Sequence, residues 1–177
     1  MGDNGRADSR AWVLAALEAY EAPLMRYAAR LTGDVERARD VVQDTFIRLC
    51  AQPQAVLEGR EREWLFTVCR NRALDVRRKE QRMTPMAAEV ECRECSAPSP
   101  PAALERDEES GQVLRLVEAL PENQQEVIRL KFEAGLSYRE IAGVTGLSVS
   151  NVGFLIHTGL KALREKMRNA EFGMRNA

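Results

Sequence analysis

Histidine occurs once in these 177 residues, at position 157. No histidine stands among acids, no nucleophile–base triad can be assembled, and no glycine-rich phosphate loop is present, so no enzyme constellation can be read. Long apolar runs are also missing. None approaches the roughly 20 residues that a membrane span needs. The opening segment, MGDNGRADSR, lacks the basic-then-apolar layout of a secretory leader, which sets an expectation of a cytoplasmic protein without membrane insertion. Four cysteines fit a reducing compartment and argue against a disulfide scaffold. Sustained period-two alternation with β-branched enrichment is absent, which leaves strands without support.

What is present is helical periodicity and segregated charge. The net charge of −1 hides four blocks: −2 over 1–59, +4 over 60–85, −7 over 86–126 and +4 over 127–177. Two basic blocks flank an acidic connector, and local fields of this kind steer phosphate binding even when the total is near zero. The plain alternative is a set of solvated helix faces.

The pattern predicts an all-α chain of two small helical domains joined by a flexible linker, with a helix-turn-helix in the second. Helices are expected at about 9–20, 23–31, 35–51 and 62–82. A Pro/Ser/Ala linker containing SAPSPPAA follows, then helices at about 108–119, 122–133, 138–145 and 149–169. Pro23 is read as a helix start, and Thr32-Gly33-Asp34 and Gln52-Pro53 as stops. The domains are expected at 9–82 and 107–169, with 83–106 as connector.

The stretch SYREIAGVTGLSVSNVGFLIH (137–157) is the sharpest motif. Ile141 and Ala142 face inward, Gly146 makes a tight turn, Leu147 plugs the corner, and Ser148 or Ser150 caps a second helix carrying Val152 and Ile156. That spacing is a helix-turn-helix, whose second helix enters a DNA major groove. Non-binding helical hairpins share the pattern.

Upstream lie two further motifs. In DVVQDTFIRL (40–49), Asp40, Gln43 and Asp44 share one helix face, with Phe46 and Cys50 beside them. In EWLFTVCRNRALDVRRKEQR (63–82), Trp64 and Phe66 lead a strongly basic helix with Arg70, Arg72, Arg77, Arg78, Lys79 and Arg82. Cations suit phosphates, and aromatic faces with amide edges suit unstacked bases. Each motif also has a bland reading: a solvated acidic face for the first, a core position for Trp64, and a capping or helix-breaking role for Asn71.

In this order, over about residues 9–168, the motifs resemble those of extracytoplasmic-function (ECF) bacterial RNA polymerase sigma factors. The resemblance implies a protein that directs core RNA polymerase to promoter DNA and helps melt the −10 element. It implies core docking through Asp40, Gln43, Asp44 and Phe46, and −10 contacts from Trp64, Asn71, Arg72, Arg77, Arg78 and Lys79, with Asn71 in a pocket for a flipped base. It further implies −35 contacts from Ser148, Ser150, Asn151, Phe154, His157, Lys161 and Arg164. Cys50 and Cys69 fall on helices that the family packs inward. An anti-sigma factor is a further expected partner. No cofactor, metal or small-molecule substrate is expected.

One departure is marked. Family members commonly carry arginines where Gly153, Leu155 and Thr158 stand. Asn151 then pairs with adenine and Phe154 meets a thymine methyl, or Phe154 and Leu155 bury against protein. Cys92 and Cys95 have knuckle spacing, but a tetrahedral zinc needs four ligands, so the pair reads as incidental. Two other functions stay open: a dimeric stand-alone helix-turn-helix regulator, and a helical adaptor with a degraded DNA-reading surface.

Overall fold

A computed structural model describes residues 4–83 and 114–175, with side chains over 9–82 and 114–169. All regular structure among the described residues is helical. The expected linker, the helix start near 108, and Cys92 and Cys95 lie outside them. The chain divides into two compact units, Met1–Pro98 and Ser99–Ala177.

The first unit contains α1 (Asn4–Thr32), α2 (Val35–Cys50), a single turn α3 (Gln54–Leu57) and α4 (Glu61–Met83). The α1, α2 and α4 helices pack pairwise. On α2, Ala38, Val41, Val42, Thr45, Phe46 and Leu49 are buried, an unbroken i, i+3, i+4 stripe. Leu24, Tyr27 and Ala28 of α1 and Leu65, Phe66, Cys69 and Ala73 of α4, the helices packed against it, are buried as well. The rings of Tyr27 and Phe66 lie 5.5 Å apart in a tilted contact.

The turn between α1 and α2 is built from local chemistry. Gly33 takes φ 70°, a conformation without penalty only for glycine. The Asp34 carboxylate then accepts the Arg37 backbone N–H at 2.8 Å, capping α2. Arg37 reaches across to Glu80 at 2.7 Å, tying the start of α2 to the far end of α4.

Two expected helices prove to be one. Pro23 lies inside α1 and does not start a new helix. Proline removes one backbone hydrogen bond and usually breaks a helix. Here Ala16, Leu24, Tyr27 and Ala28 keep one buried face running past it, and that packing outweighs the local cost. The turn α3 was not expected either: Val56 N–H bonds to Pro53 O at 3.0 Å, so Pro53 opens a helical turn after ending the α2 segment.

The second unit begins with helical residues 114–118, followed by α5 (Glu122–Phe132), α6 (Tyr138–Thr145) and α7 (Val149–Arg175). Val127, Ile128, Leu130, Leu136, Ile141, Val144, Val152, Leu155, Ile156 and Leu163 are buried. Gly159 lets α7 approach α5 closely, since a Cβ there would stand 2.6 Å from Ile128 Cδ1.

Candidate nucleic-acid interface

The helix-turn-helix is assembled by caps at each corner. After α5, Gly135 takes φ 68° and Leu136 N–H bonds back to Leu130 O at 3.0 Å, closing the helix end. Ser137 and Glu140 then form a reciprocal capping box at the start of α6. Gly146 ends α6 at φ 76°, with its N–H on Ala142 O at 2.9 Å. The Ser148 hydroxyl accepts the Asn151 N–H at 3.2 Å and so opens α7; of the two serines expected to cap, it is Ser148 that does. The two helices are bent by 105°, within the range of a helix-turn-helix.

Val152, Leu155 and Ile156 fix the phase of α7 by facing inward. Ser148, Ser150, Asn151, Phe154, His157, Lys161 and Arg164 are all exposed. The expected pairing of Phe154 with Leu155 splits. Leu155 is 6% exposed and fills its own unit's core, whereas Phe154 is 62% exposed. Thr158 donates its hydroxyl to Phe154 O at 2.9 Å, and a Cβ on Gly153 would lie 3.7 Å from the Tyr138 ring. Tyr138 therefore rests against the first half of α7, with Lys131 Nζ 5.5 Å above its ring. Sequence reasoning passed over this ring; its position directly after the capping Ser137 was the available signal.

On α4, Trp64, Asn71 and Arg78 recur at seven-residue spacing and share one side of the helix. Asn71, Arg77, Arg78 and Lys79 are exposed, and Trp64 is half-buried. Arg78 pairs with Asp75 at 3.3 Å. Phe66 is a correction: it was read as aromatic surface, yet it is buried against Tyr27, because it falls in phase with Leu65, Cys69 and Ala73. Arg72 points the other way, toward α2.

On α2, Asp40 and Gln43 are exposed as expected. Asp44 Oδ2 lies 3.2 Å from both Arg48 and Arg72 as an ion pair, buried and without a hydrogen bond from either. Phe46 is the second correction. It is 8% exposed and belongs to the α2 core stripe, so it is not a surface side chain. The exposed apolar residue is Ile47, at 60%. It was missed although it lies out of phase with the stripe. Cys50, at the end of a helix that packs inward, is itself exposed; Cys69 is buried, and burial pushes its thiol up to about 12 despite a hydrogen bond with Thr45. Among the described residues no cluster of three or more His, Cys, Asp or Glu could hold a metal ion, and no single helix is long and apolar enough to cross a membrane.

The two units match separate family models. Residues 16–83 match Sigma-70 region 2 and residues 110–163 match Sigma-70, region 4. The ECF RNA polymerase sigma factor SigL of Mycobacterium tuberculosis is 32% identical over 170 residues, covering 91% of this chain and 92% of the relative. This chain belongs to the ECF sigma factor family. Sigma factors are transcription initiation factors. Two solved structures share the fold. One is the sigma factor RpoE in complex with the anti-sigma factor NepR from Bartonella quintana, at TM-score 0.58 and 20% identity, covering 91% of this chain and 97% of that one. The other is CnrH in complex with the cytosolic domain of CnrY, at TM-score 0.54 and 23% identity, covering 89% and 88%. In this sigma factor α2 and α4 lie in region 2, and the helix-turn-helix lies in region 4.

Proposed function

We propose that this chain directs core RNA polymerase to specific promoters and helps melt their −10 element, itself catalysing no reaction, in the cytoplasm. The reading is carried by one observation: a region 2 unit with a basic, tryptophan-led helix and a region 4 helix-turn-helix occur in a single chain. Residues 9–82 form the first functional domain, 107–169 the second, and 83–106 the connector.

Asp40, Gln43 and Asp44 dock the polymerase, and a polar and acidic face suits an arginine-rich partner. Trp64, Asn71, Arg77, Arg78 and Lys79 hold the −10 element, the cations on phosphates and Asn71 on an unstacked base, since its amide both donates and accepts, while Arg72 braces this helix through Asp44 of α2. Ser148, Ser150, Asn151, Phe154, His157, Lys161 and Arg164 face the −35 element. An anti-sigma factor is the regulatory partner, in keeping with the solved complex of RpoE with NepR.

Transcription in vitro with purified core polymerase tests the reading. Promoter-specific initiation that requires this chain is the expected result. Tight binding of a palindromic site by a dimer of the free chain would instead indicate a stand-alone regulator, and no initiation would indicate an adaptor.

A further inference from the structure

The reading face of α7 has an unusual chemistry. Its most prominent exposed side chain is a phenylalanine, and no arginine occurs between Val149 and Leu163. The first arginine, Arg164, lies ten residues beyond Phe154, about 15 Å further along the axis at 1.5 Å per residue. In this motif the N-terminal residues of the second helix reach the base edges, so Arg164, more than four turns into α7, meets backbone when Phe154 meets bases. Lys161 lies about 10 Å beyond Phe154, at the groove's edge. Arg139 sits on the first turn of α6, the helix that crosses the phosphate backbone in this motif. The side of α7 at Gly153 is covered by the Tyr138 ring. Within reach of the bases facing Phe154, then, stand an aromatic ring, the Asn151 amide, serine hydroxyls and the single imidazole of His157. None supplies the two-pronged cationic donor that reads guanine O6 and N7.

We propose that this sigma factor specifies an A·T-rich −35 element, with Phe154 contacting thymine methyl groups and Asn151 pairing with a neighbouring adenine. The chemistry matches base by base. Thymine alone among the four bases presents a methyl in the major groove, and an asparagine amide matches adenine N6 and N7. Phosphate contacts position the helix and carry no sequence information. The cations here are left to phosphates, and specificity falls to the uncharged residues. Phe154 is thereby a specificity-determining residue. This inference rests on the −35 role proposed above.

The test uses holoenzyme reconstituted from core polymerase and the full chain, transcribing fragmented genomic DNA of the source bacterium. Start-site mapping gives the −35 sequences. The strongest promoters are then resynthesised with deoxyuridine replacing thymidine in the −35 element alone, which deletes the methyl and keeps every hydrogen bond. The expected result is an A·T-rich −35 consensus and an initiation loss of about fivefold per contacted methyl, the low end for one wrong base contact. Phe154→Ser should initiate at the reduced level on both templates. Its ring is solvent-exposed, so the fold should persist, checked by circular dichroism. A G·C-dominated consensus, or equal wild-type activity on thymidine and deoxyuridine templates, overturns the inference while promoter-specific initiation stands. Wild-type activity of Phe154→Ser on every template also overturns it and assigns the exposed ring to a protein partner. Failure of the chain to support any initiation removes both this inference and the sigma factor role beneath it.

Discussion

Asp44 of α2 and Arg72 of α4 form a 3.2 Å ion pair across the helix interface of region 2. The same carboxylate oxygen also takes Arg48 at 3.2 Å. Asp44 belongs to the proposed polymerase-docking face, and Arg72 to the helix that carries the proposed −10 face. The two surfaces are therefore joined at one carboxylate, and a substitution at either residue reaches both.

The pair contributes little to folding. The two side chains are 33% and 37% exposed, so salt screens the pair, and the buried Asp44 Oδ2 gains no hydrogen bond from it to offset its desolvation. A double-mutant cycle of Asp44→Asn with Arg72→Gln, read by urea unfolding, should give a coupling of about 0.5–1 kcal/mol that shrinks at high salt. Initiation by either single variant should fall by much more than this stability change implies. A salt-independent coupling above about 2 kcal/mol would mark the pair as structural.

The two described cysteines should separate cleanly. Cys50 is exposed and Cys69 is buried with its thiol raised to about 12. A thiol-specific disulfide reagent should titrate Cys50 in the folded protein, and Cys69 only after unfolding. The pH consequence follows from the sign. Below its unfolded value of about 9, Cys69 is neutral in both states and costs nothing. As pH rises from about 9 toward about 12, the unfolded thiol ionises while the folded one holds its proton, so the unfolded state gains and stability falls. Cys69→Ala should flatten this alkaline slope relative to wild type, after allowing for its own packing loss.

Much of this architecture was legible because its signals are local. The α2 stripe, the Gly146 turn and the serine cap each announce themselves within a few residues. What escaped was decided by packing between helices. Pro23 carries a strong breaking signal, and only the apolar face shared by Ala16 and Leu24 shows that α1 runs through it. Phe46 is a different case: helical phase alone places it in the α2 stripe with Val42 and Leu49 and leaves Ile47 outside, and only the family resemblance set Phe46 on the docking face. Leu155 and Phe154 separate by phase in the same way on α7. The candidate sites were legible as patches of residue type, whereas the choice of exposed member within each patch rested on helical phase and the partner helices.

Gly159 gives a test of the α5–α7 contact. A methyl added there would meet Ile128 Cδ1 at 2.6 Å, and Ile128 is buried and has little room to yield. Overpacking of this kind costs about 1–3 kcal/mol, against about 1 kcal/mol gained from replacing a helical glycine by alanine. Gly159→Ala should therefore lower stability by about 1 kcal/mol. Adding Ile128→Val removes the clashing atom, and the double variant should be more stable than Gly159→Ala alone. If the two substitutions simply add, the close approach is not what limits this position.

Two other glycines in the helix-turn-helix should respond to alanine with opposite signs. Gly146 stands at φ 76° with nothing within 4 Å of its missing Cβ, so alanine there meets no neighbour but must hold a left-handed backbone. That conformation costs an L-residue about 1–2 kcal/mol. Gly153 is an ordinary helical residue, and its added methyl would touch the Tyr138 ring at 3.7 Å, a normal contact distance. Alanine there should add about 1 kcal/mol through helix propensity, together with slight burial against the ring. Gly146→Ala should thus lower the unfolding midpoint of the second unit, and Gly153→Ala should raise it. Gly146→Asn should fall between wild type and Gly146→Ala, because asparagine tolerates the left-handed region better than alanine does. Equal destabilisation by alanine at both positions would mean that Tyr138 presses on α7 more tightly than a 3.7 Å contact allows.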